Sequence, residues 1–369
     1  MSEHGLPPLV RPRARAWGLR LGDLPTGPRN AITDVDGVRV GHVTVIHGEG
    51  CNAARCGVTA VLAPGDDPFH RKLPAAAAAF NGCGEMTGLW WVNESGFLET
   101  PILMTDTLSI GRVLDGAISW MLDRYPRLGR EEDVFTPVVG ECDNSFLNDI
   151  RGRHVTSEHV RAALDTASGG PVAEGAVGAG TGMTCYDFKG GIGTASRVVD
   201  VDGARYTVGA LINDNHGRRK DLVLGGTALG DLLTDRMPLD RAGSPEPEGS
   251  FILVIATDAP LDARALSRLA QRAWLGVART GGKGNRGSGD FALAFSTRNV
   301  MVTPPPQGPR LLESVDESRL NPLFDGVVEA VEEAIVNALF AGTDMVGRDG
   351  NTVFGLPLDA LAGVLRASG

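Results

Sequence analysis

No cysteine pair in this chain stands at metal-binding or redox spacing. Cys51, Cys56, Cys83, Cys142 and Cys185 are odd in number and scattered, with no CxxC. That pattern excludes a disulfide framework and a cysteine-based zinc site, and it points to free thiols in a reducing compartment. Positive charge is also short. The 35 Lys and Arg residues against 45 Asp and Glu leave a net charge of -10, which disfavours nucleic acid and anionic membranes as partners. The one basic stretch, Arg11-Pro12-Arg13-Ala14-Arg15, reads as a solvated tail. No apolar run approaches the ~20 residues needed to span a bilayer. The segment Ser2–Pro8 lacks the apolar centre of a secretory signal, so the cytoplasm is the expected location. All seven histidines precede Ser250, and no serine sits in a G-x-S-x-G elbow. His42/His47 and His154/His159 have no third ligand at motif spacing, so no metal site is expected. Each histidine taken alone reads as structural or surface.

What is present is length, glycine and a mixture of strand and helix patterns. A chain of 369 residues can hold one large domain or two ordinary ones. Its 50 glycines cluster, which implies tight turns and close backbone approach. Alternation predicts strands over Val38–Ile46 and Gly57–Leu62, and helical spacing predicts a helix over Leu108–Leu122. Asp202-Gly203 supplies a type I′ turn for a hairpin whose second strand runs Tyr206–Ile212 and ends at Asn213-Asp214-Asn215. Phe251–Ala256 reads as a fully buried strand. A helix capped by Thr257-Asp258 follows, with Pro260 in its opening turn and a stripe of Leu266, Leu269, Ala270, Ala273, Trp274 and Val277, and Gly281-Gly282 ends it. Phe291–Phe295 is a further strand, Leu323–Phe340 an amphipathic helix closed by Gly342, and Leu358–Leu365 a short last helix. Strands and helices mix without regular βαβ alternation, which favours layered α+β over a doubly wound sheet.

The junction Gly249-Ser250 has the strongest chemical signature. It closes a Pro/Glu tract (Arg241–Glu248) and opens the apolar run Phe251-Ile252-Leu253-Val254-Ile255. An interdomain linker can have this composition. The same design suits a peptide bond that the protein cuts in itself, which would leave Ser250 as a new N-terminus. Its α-amine, with a pKa of about 8, could then act as base for the adjoining hydroxyl. Downstream, Gly281–Asp290 is Gly-rich but lacks phosphate-loop spacing, so its interest lies in Ser288 and Asp290, expected on the loop before Phe291. That loop is equally readable as a flexible turn. Gly178–Met183 and Lys189–Ser196 match no dinucleotide fingerprint and read as backbone crowding. Asn215 could present its amide to an oxyanion, or it could simply be a turn asparagine before Gly217. Glu141, after the apolar run Phe135–Val139, could pair with a cationic group.

These pieces in this order resemble the L-aminopeptidase/D-amino-acid esterase-amidases and β-peptidyl aminopeptidases. The resemblance runs over most of the chain. It is carried by Asn30–His42, Asn81–Leu89, Glu141 with Leu147–Ile150, Gly180–Met183, Phe188–Ser196, Gly249-Ser250 and Gly287–Asp290. It implies self-cleavage into an α chain (1–249) and a β chain (250–369). The implied fold is a four-layer αββα sandwich, similar in architecture to N-terminal-nucleophile hydrolases but differing in chain connectivity. By the same resemblance Ser250 is the nucleophile, Ser288 and Asp290 support it, Asn215 is the oxyanion asparagine, and Glu141 receives the free amine of a small peptide or amino-acid amide. The family needs no metal or cofactor and assembles as homo-oligomers, often tetramers of αβ units.

One departure stands out. Several members carry a tyrosine two residues after the acid, where this chain has Asp143. An ionised carboxylate cannot donate to a developing oxyanion, so Asp143 is expected either to help Glu141 hold the amine or to point away. Within enzymes, the alternatives are an acyltransferase of the ornithine acetyltransferase type and a hydrolase of ω-amino-acid oligoamides. Both usually employ threonine where this chain has Ser250. An unprocessed, non-catalytic binding protein is the alternative from another class.

Overall fold

The structure, a computed structural model, describes residues 11–230 and 249–362. The tract Arg241–Glu248 lies outside the described residues. So does the end of the helix expected over Leu358–Leu365, of which 358–362 are helical.

Short strands and helices alternate irregularly along the first half. They are β1 (Arg39–His47), β2 (Ala54–Leu62), β3 (Arg71–Gly82), α1 (Leu89–Ser95), β4 (Phe97–Leu98), β5 (Ile102–Asp106), α2 (Ile110–Arg124), β6 (Val138–Cys142) and α3 (Ser157–Asp165). Two small strands, β7 (Thr184–Cys185) and β8 (Phe188–Lys189), precede the long hairpin β9 (Ile192–Val201) and β10 (Ala204–Asn215). Asp202 and Gly203 both take positive φ, 53° and 85°, as a type I′ turn requires. A second small hairpin joins β11 (Val223–Leu224) to β12 (Thr227–Ala228). Then come β13 (Ser250–Thr257), α4 (Ala263–Arg279), β14 (Gly289–Ser296), β15 (Met301–Val302) and α5 (Asn321–Ala341).

Two sheets result. One has the order β1-β2-β5-β6; the other runs β15-β3-β14-β13-β10-β9, with β4 alongside β3. In the larger sheet β13 and β14 are parallel, whereas β13 is antiparallel to β10 and β14 to β3. A continuous apolar strand such as β13 must be covered on both faces, and it is. Ile252 and Val254 meet the other sheet, while Phe251, Leu253 and Ile255 meet α4 and α5. On the far side α2 and α3 cover the smaller sheet. The layers are therefore α, β, β, α, as expected.

Three local expectations change. The cap of α4 is Asp262, whose carboxylate accepts from Ala265 N at 2.8 Å. Thr257 instead completes β13, because its partner Val208 extends the ladder. Helix α5 is buried on nearly every face rather than amphipathic, with Glu329, Glu332, Glu333 and Asn337 inside. Its glutamates answer the third change: the basic stretch at the start is not a solvated tail. Ala14 is fully buried, Arg13 pairs with Glu174 at 2.7 Å and Arg15 with Glu333 at 2.8 Å, so buried acids draw the segment onto the body. The Gly-rich stretches behave as expected of crowded backbone. A Cβ on Gly193 would stand 1.9 Å from Ala334 O, which lets β9 lie directly against α5.

Candidate active site

Ser250 opens the central strand β13, opposite Asn215 on β10 and Gly289 on β14. Strand alternation puts its side chain on the face shared by Ile252 and Val254, between the sheets. The residue is only 6% exposed. Asn215 Nδ2 lies 3.5 Å from Ser250 Oγ and donates to Asp143 O at 2.8 Å. Its Oδ1 accepts from Thr184 N at 2.9 Å, and this bond fixes which end of the amide faces the serine. Asn215 is thus the last residue of a strand, held at both ends, and not a free turn residue. The fully buried Cys142 thiol also faces the Ser250 hydroxyl; burial pushes its pKa well up, so it is an inert neighbour. Gly249 takes φ 77°, and a Cβ there would stand 3.0 Å from His216 Cα and 3.2 Å from Asn215 O. Only glycine permits this left-handed, close approach beside the serine.

Ser288 precedes β14, and Asp290 is the second residue of that strand rather than part of the loop. The strand supplies the reason: Asp290 pairs in register with Asn81 on β3, whose Nδ2 donates to Asp290 Oδ2 at 2.9 Å. Ser288 Oγ donates to the other oxygen at 2.5 Å. Burial raises the Asp290 pKa above the usual carboxylate range, while Ser288, Asn81 and His216 oppose the rise.

Glu141 lies next to last on β6 and is buried. One oxygen accepts from Glu85 N at 2.8 Å and the other from the Thr107 hydroxyl. A Cβ on Gly84 would stand 3.0 Å from Glu141 Oε1 and 3.3 Å from Gly289 Cα, so one glycine's width of backbone separates this acid from β14. Burial, then the nearby charges of Asp143 and Glu85, raise its pKa against the Thr107 and Glu85 hydrogen bonds. A carboxylate that binds an ammonium group must be ionised. KM for amine-bearing substrates is therefore expected to rise as pH falls, beginning above the usual carboxylate range. Glu141→Gln should abolish that pH dependence and raise KM about 10- to 100-fold, the worth of one charge-assisted hydrogen bond. A KM that keeps its pH profile in the variant would remove Glu141 from this role. Asp143 is exposed; its Oδ1 accepts from Ser145 N at 2.8 Å, and its carbonyl, not its carboxylate, meets Asn215.

Sequence reasoning gave no role to Asn81, Thr107 or the pair Asp214 and His216, which flank Asn215. Asn81 and Thr107 are ordinary residues until the fold sets them against Asp290 and Glu141. The position of Asp214 and His216 on either side of a suspected oxyanion residue was a usable signal. Cys185, Asp214 and His216 also bring metal-binding atom types within 4.8 Å of one another among the described residues. Each atom is spent internally, however: Cys185 Sγ donates to Asp214 Oδ2 at 2.7 Å, and His216 Nδ1 meets Asp214 Oδ1 at 2.5 Å. The cluster is a hydrogen-bonded network, not a ligand set.

Comparison with known proteins gives the family and the fold. The model of peptidase family S58 matches residues 30–353. The β-peptidyl aminopeptidase BapA of Sphingosinicella xenopeptidilytica is 44% identical over 376 residues, covering 97% of this chain and 92% of that protein. Among solved structures, the PH0078 protein from Pyrococcus horikoshii OT3 superposes with TM-score 0.91 at 43% identity, covering 97% of this chain and 99% of that one. The L-aminopeptidase D-Ala-esterase/amidase from Ochrobactrum anthropi, described as a variant of the Ntn hydrolase fold, gives 0.88 at 42% identity over the same shares.

Proposed function

The chain belongs to peptidase family S58, and we propose on that footing that it is a self-processing aminopeptidase acting through an acyl-enzyme on Ser250. Its substrates are short peptides, amino-acid amides or esters of L-, D- or β-amino acids. The observation that supports this reading is the position of Ser250 at the head of a buried strand. There its hydroxyl faces Asn215, and its register neighbour Gly289 lies between Ser288 and Asp290.

In maturation the Ser250 hydroxyl adds to the Gly249 carbonyl, and the C–N bond breaks as its nitrogen takes a proton. The resulting ester is hydrolysed by water, which leaves a Gly249 carboxylate and a free Ser250 amine. In turnover that amine, assisted by Ser288, accepts the hydroxyl proton as Ser250 attacks the substrate carbonyl. Asn215 Nδ2 stabilises the oxyanion, and Glu141 takes the substrate's free amine. This last contact gives an aminopeptidase rather than an endopeptidase. Water then releases the acyl group. The homo-oligomer, a tetramer of αβ units, belongs to the same proposal and is read by light scattering of the purified enzyme.

A panel of p-nitroanilides of L-, D- and β-amino acids, run beside intact mass analysis, tests the proposal. A chain that stays whole on long incubation yet hydrolyses the panel would overturn the N-terminal serine. Asn215→Ala is expected to lower kcat about 10²- to 10³-fold with little change in KM, as removal of one oxyanion donor does. An unchanged kcat would remove Asn215 from the mechanism.

A further inference from the structure

The bonding around His216 limits where its hydrogens can lie. The Thr280 hydroxyl lies 2.8 Å from Val277 O, a pure acceptor, and 2.8 Å from the Tyr186 hydroxyl. When Thr280 donates to Val277 O, its Oγ1 accepts from the Tyr186 hydroxyl, which spends the phenol's only proton. Tyr186 O is left to accept, and its remaining neighbour is His216 Nε2 at 3.2 Å. On the other side of the ring, Nδ1 faces Asp214 Oδ1, which also accepts from His216 N at 3.3 Å. Asp214 Oδ2 accepts the Cys185 thiol proton, and against the Asp214 carboxylate Nδ1 is the donor. In this arrangement both ring nitrogens carry hydrogen.

We infer that His216 is a buried imidazolium, paired with Asp214 behind Asn215, whose charge joins the Ser288 and Asn81 hydrogen bonds in favouring ionised Asp290 and thus Ser288 as the donor of their hydrogen bond. His216, Ser288 and Asp290 line one cavity of about 10 Å³, room for about one water. Arg218 and the Asp221–Lys283 ion pair share its wall, and Asn81 and Asp214 complete the groups around Asp290. While Asp290 is ionised, Ser288 donates a hydrogen bond to it and, in the reaction proposed above, keeps its lone pairs for the Ser250 hydroxyl or amine. A protonated Asp290 would donate to Ser288 and reverse that polarity. Burial works to neutralise His216, but Asp214 outweighs it and the imidazole pKa lies above its ordinary value. The charge state rests on the close contact with Asp214 and on this hydrogen arrangement; its role rests on Ser288 serving the reaction proposed above.

Nitrogen-15 NMR of histidine-labelled, unaltered protein tests the charge directly. His216 is identified by cross-peaks to the Tyr186 and Phe251 rings, whose centroids lie 5.1 and 5.2 Å from its own. Both of its nitrogens should be protonated throughout the neutral range. His42, driven down to about 4 by burial without an acid partner, serves as the neutral control in the same spectrum. A neutral His216, or resonances that move on adding zinc, would overturn the inference whether or not the chain processes itself. For the role, self-cleavage of refolded precursor is followed against pH, where no free Ser250 amine yet contributes. His216→Gln should move the acid limb upward by about one pH unit, costing about tenfold in rate at mildly acid pH and little at alkaline pH. A uniform loss at all pH values, with the limb unmoved, would reduce His216 to a structural residue.

Discussion

Ser250→Ala is expected to yield a single 369-residue chain by mass analysis and to lower kcat/KM roughly 10⁵- to 10⁶-fold, as removal of a catalytic serine does. Two losses coincide in this variant. The hydroxyl that would cut the 249–250 bond is gone, so no α-amine is released to act as base. The carbonyl of substrate also loses its attacking atom. Folding should be little affected, because alanine fills the same buried strand position and the partner amide of Asn215 keeps its bonds to Thr184 N and Asp143 O. Circular dichroism and an unchanged unfolding midpoint would confirm that the loss is chemical. A processed chain, or activity within tenfold of the unaltered protein, would move the nucleophile elsewhere.

Arg197→Ala is expected to be the most damaging substitution remote from the site, lowering stability by about 3–5 kcal/mol as loss of one partner from a buried ion pair does. Arg197 on β9 is fully buried. Its Nε donates to Glu329 at 2.9 Å and its Nη2 to Glu333 at 2.7 Å and Leu21 O at 2.7 Å. Glu333 in turn holds Arg15 and Asn30. One guanidinium thus ties the hairpin, α5 and the N-terminal segment together. Truncating it leaves Glu329 with the Asp23 and Leu24 backbone N–H donors and Glu333 with Arg15 and Asn30, and the penalty comes from this lost charge compensation more than from the lost contacts. Arg197→Lys keeps the charge but not the planar fork and should recover only part of the loss. A urea midpoint for Arg197→Ala equal to that of the unaltered protein would show the network to be dispensable.

How much of this was legible in the chain depends on the range of the interaction. The strand at Phe251–Ala256, the hairpin turn at Asp202-Gly203 and the helix stripe through Leu266 and Val277 are written in neighbouring residues, so periodicity finds them. Ser288 and Asp290, two apart, could be seen to form one unit. The N-cap of α4 was misplaced because Thr257-Asp258 is as good a cap by composition as Asp262. Only the partner strand β10 makes Thr257 part of a ladder. The burial of α5 was missed because its glutamates read as a solvated face until Arg197, Arg15 and Arg279 are brought against them.

The sequence by itself determined the α+β class, the run of strands and helices, the resemblance to the L-aminopeptidase/D-amino-acid esterase-amidases and β-peptidyl aminopeptidases, and the residues with chemical capacity: Ser250, Asn215, Glu141, Ser288 and Asp290. Only the tertiary structure decided their partners: Asn81 for Asp290, Thr107 for Glu141, Thr184 and Asp143 for Asn215, and the Asp214–His216 pair behind it. The physical reason is that hydrophobic period and turn chemistry act over a few residues, whereas a hydrogen bond such as Asn81 to Asp290 joins positions 209 apart in the chain. Short-range preferences name the reacting groups, but their hydrogen-bond polarity, charge state and aim are set by whichever distant strand the sheet places beside them.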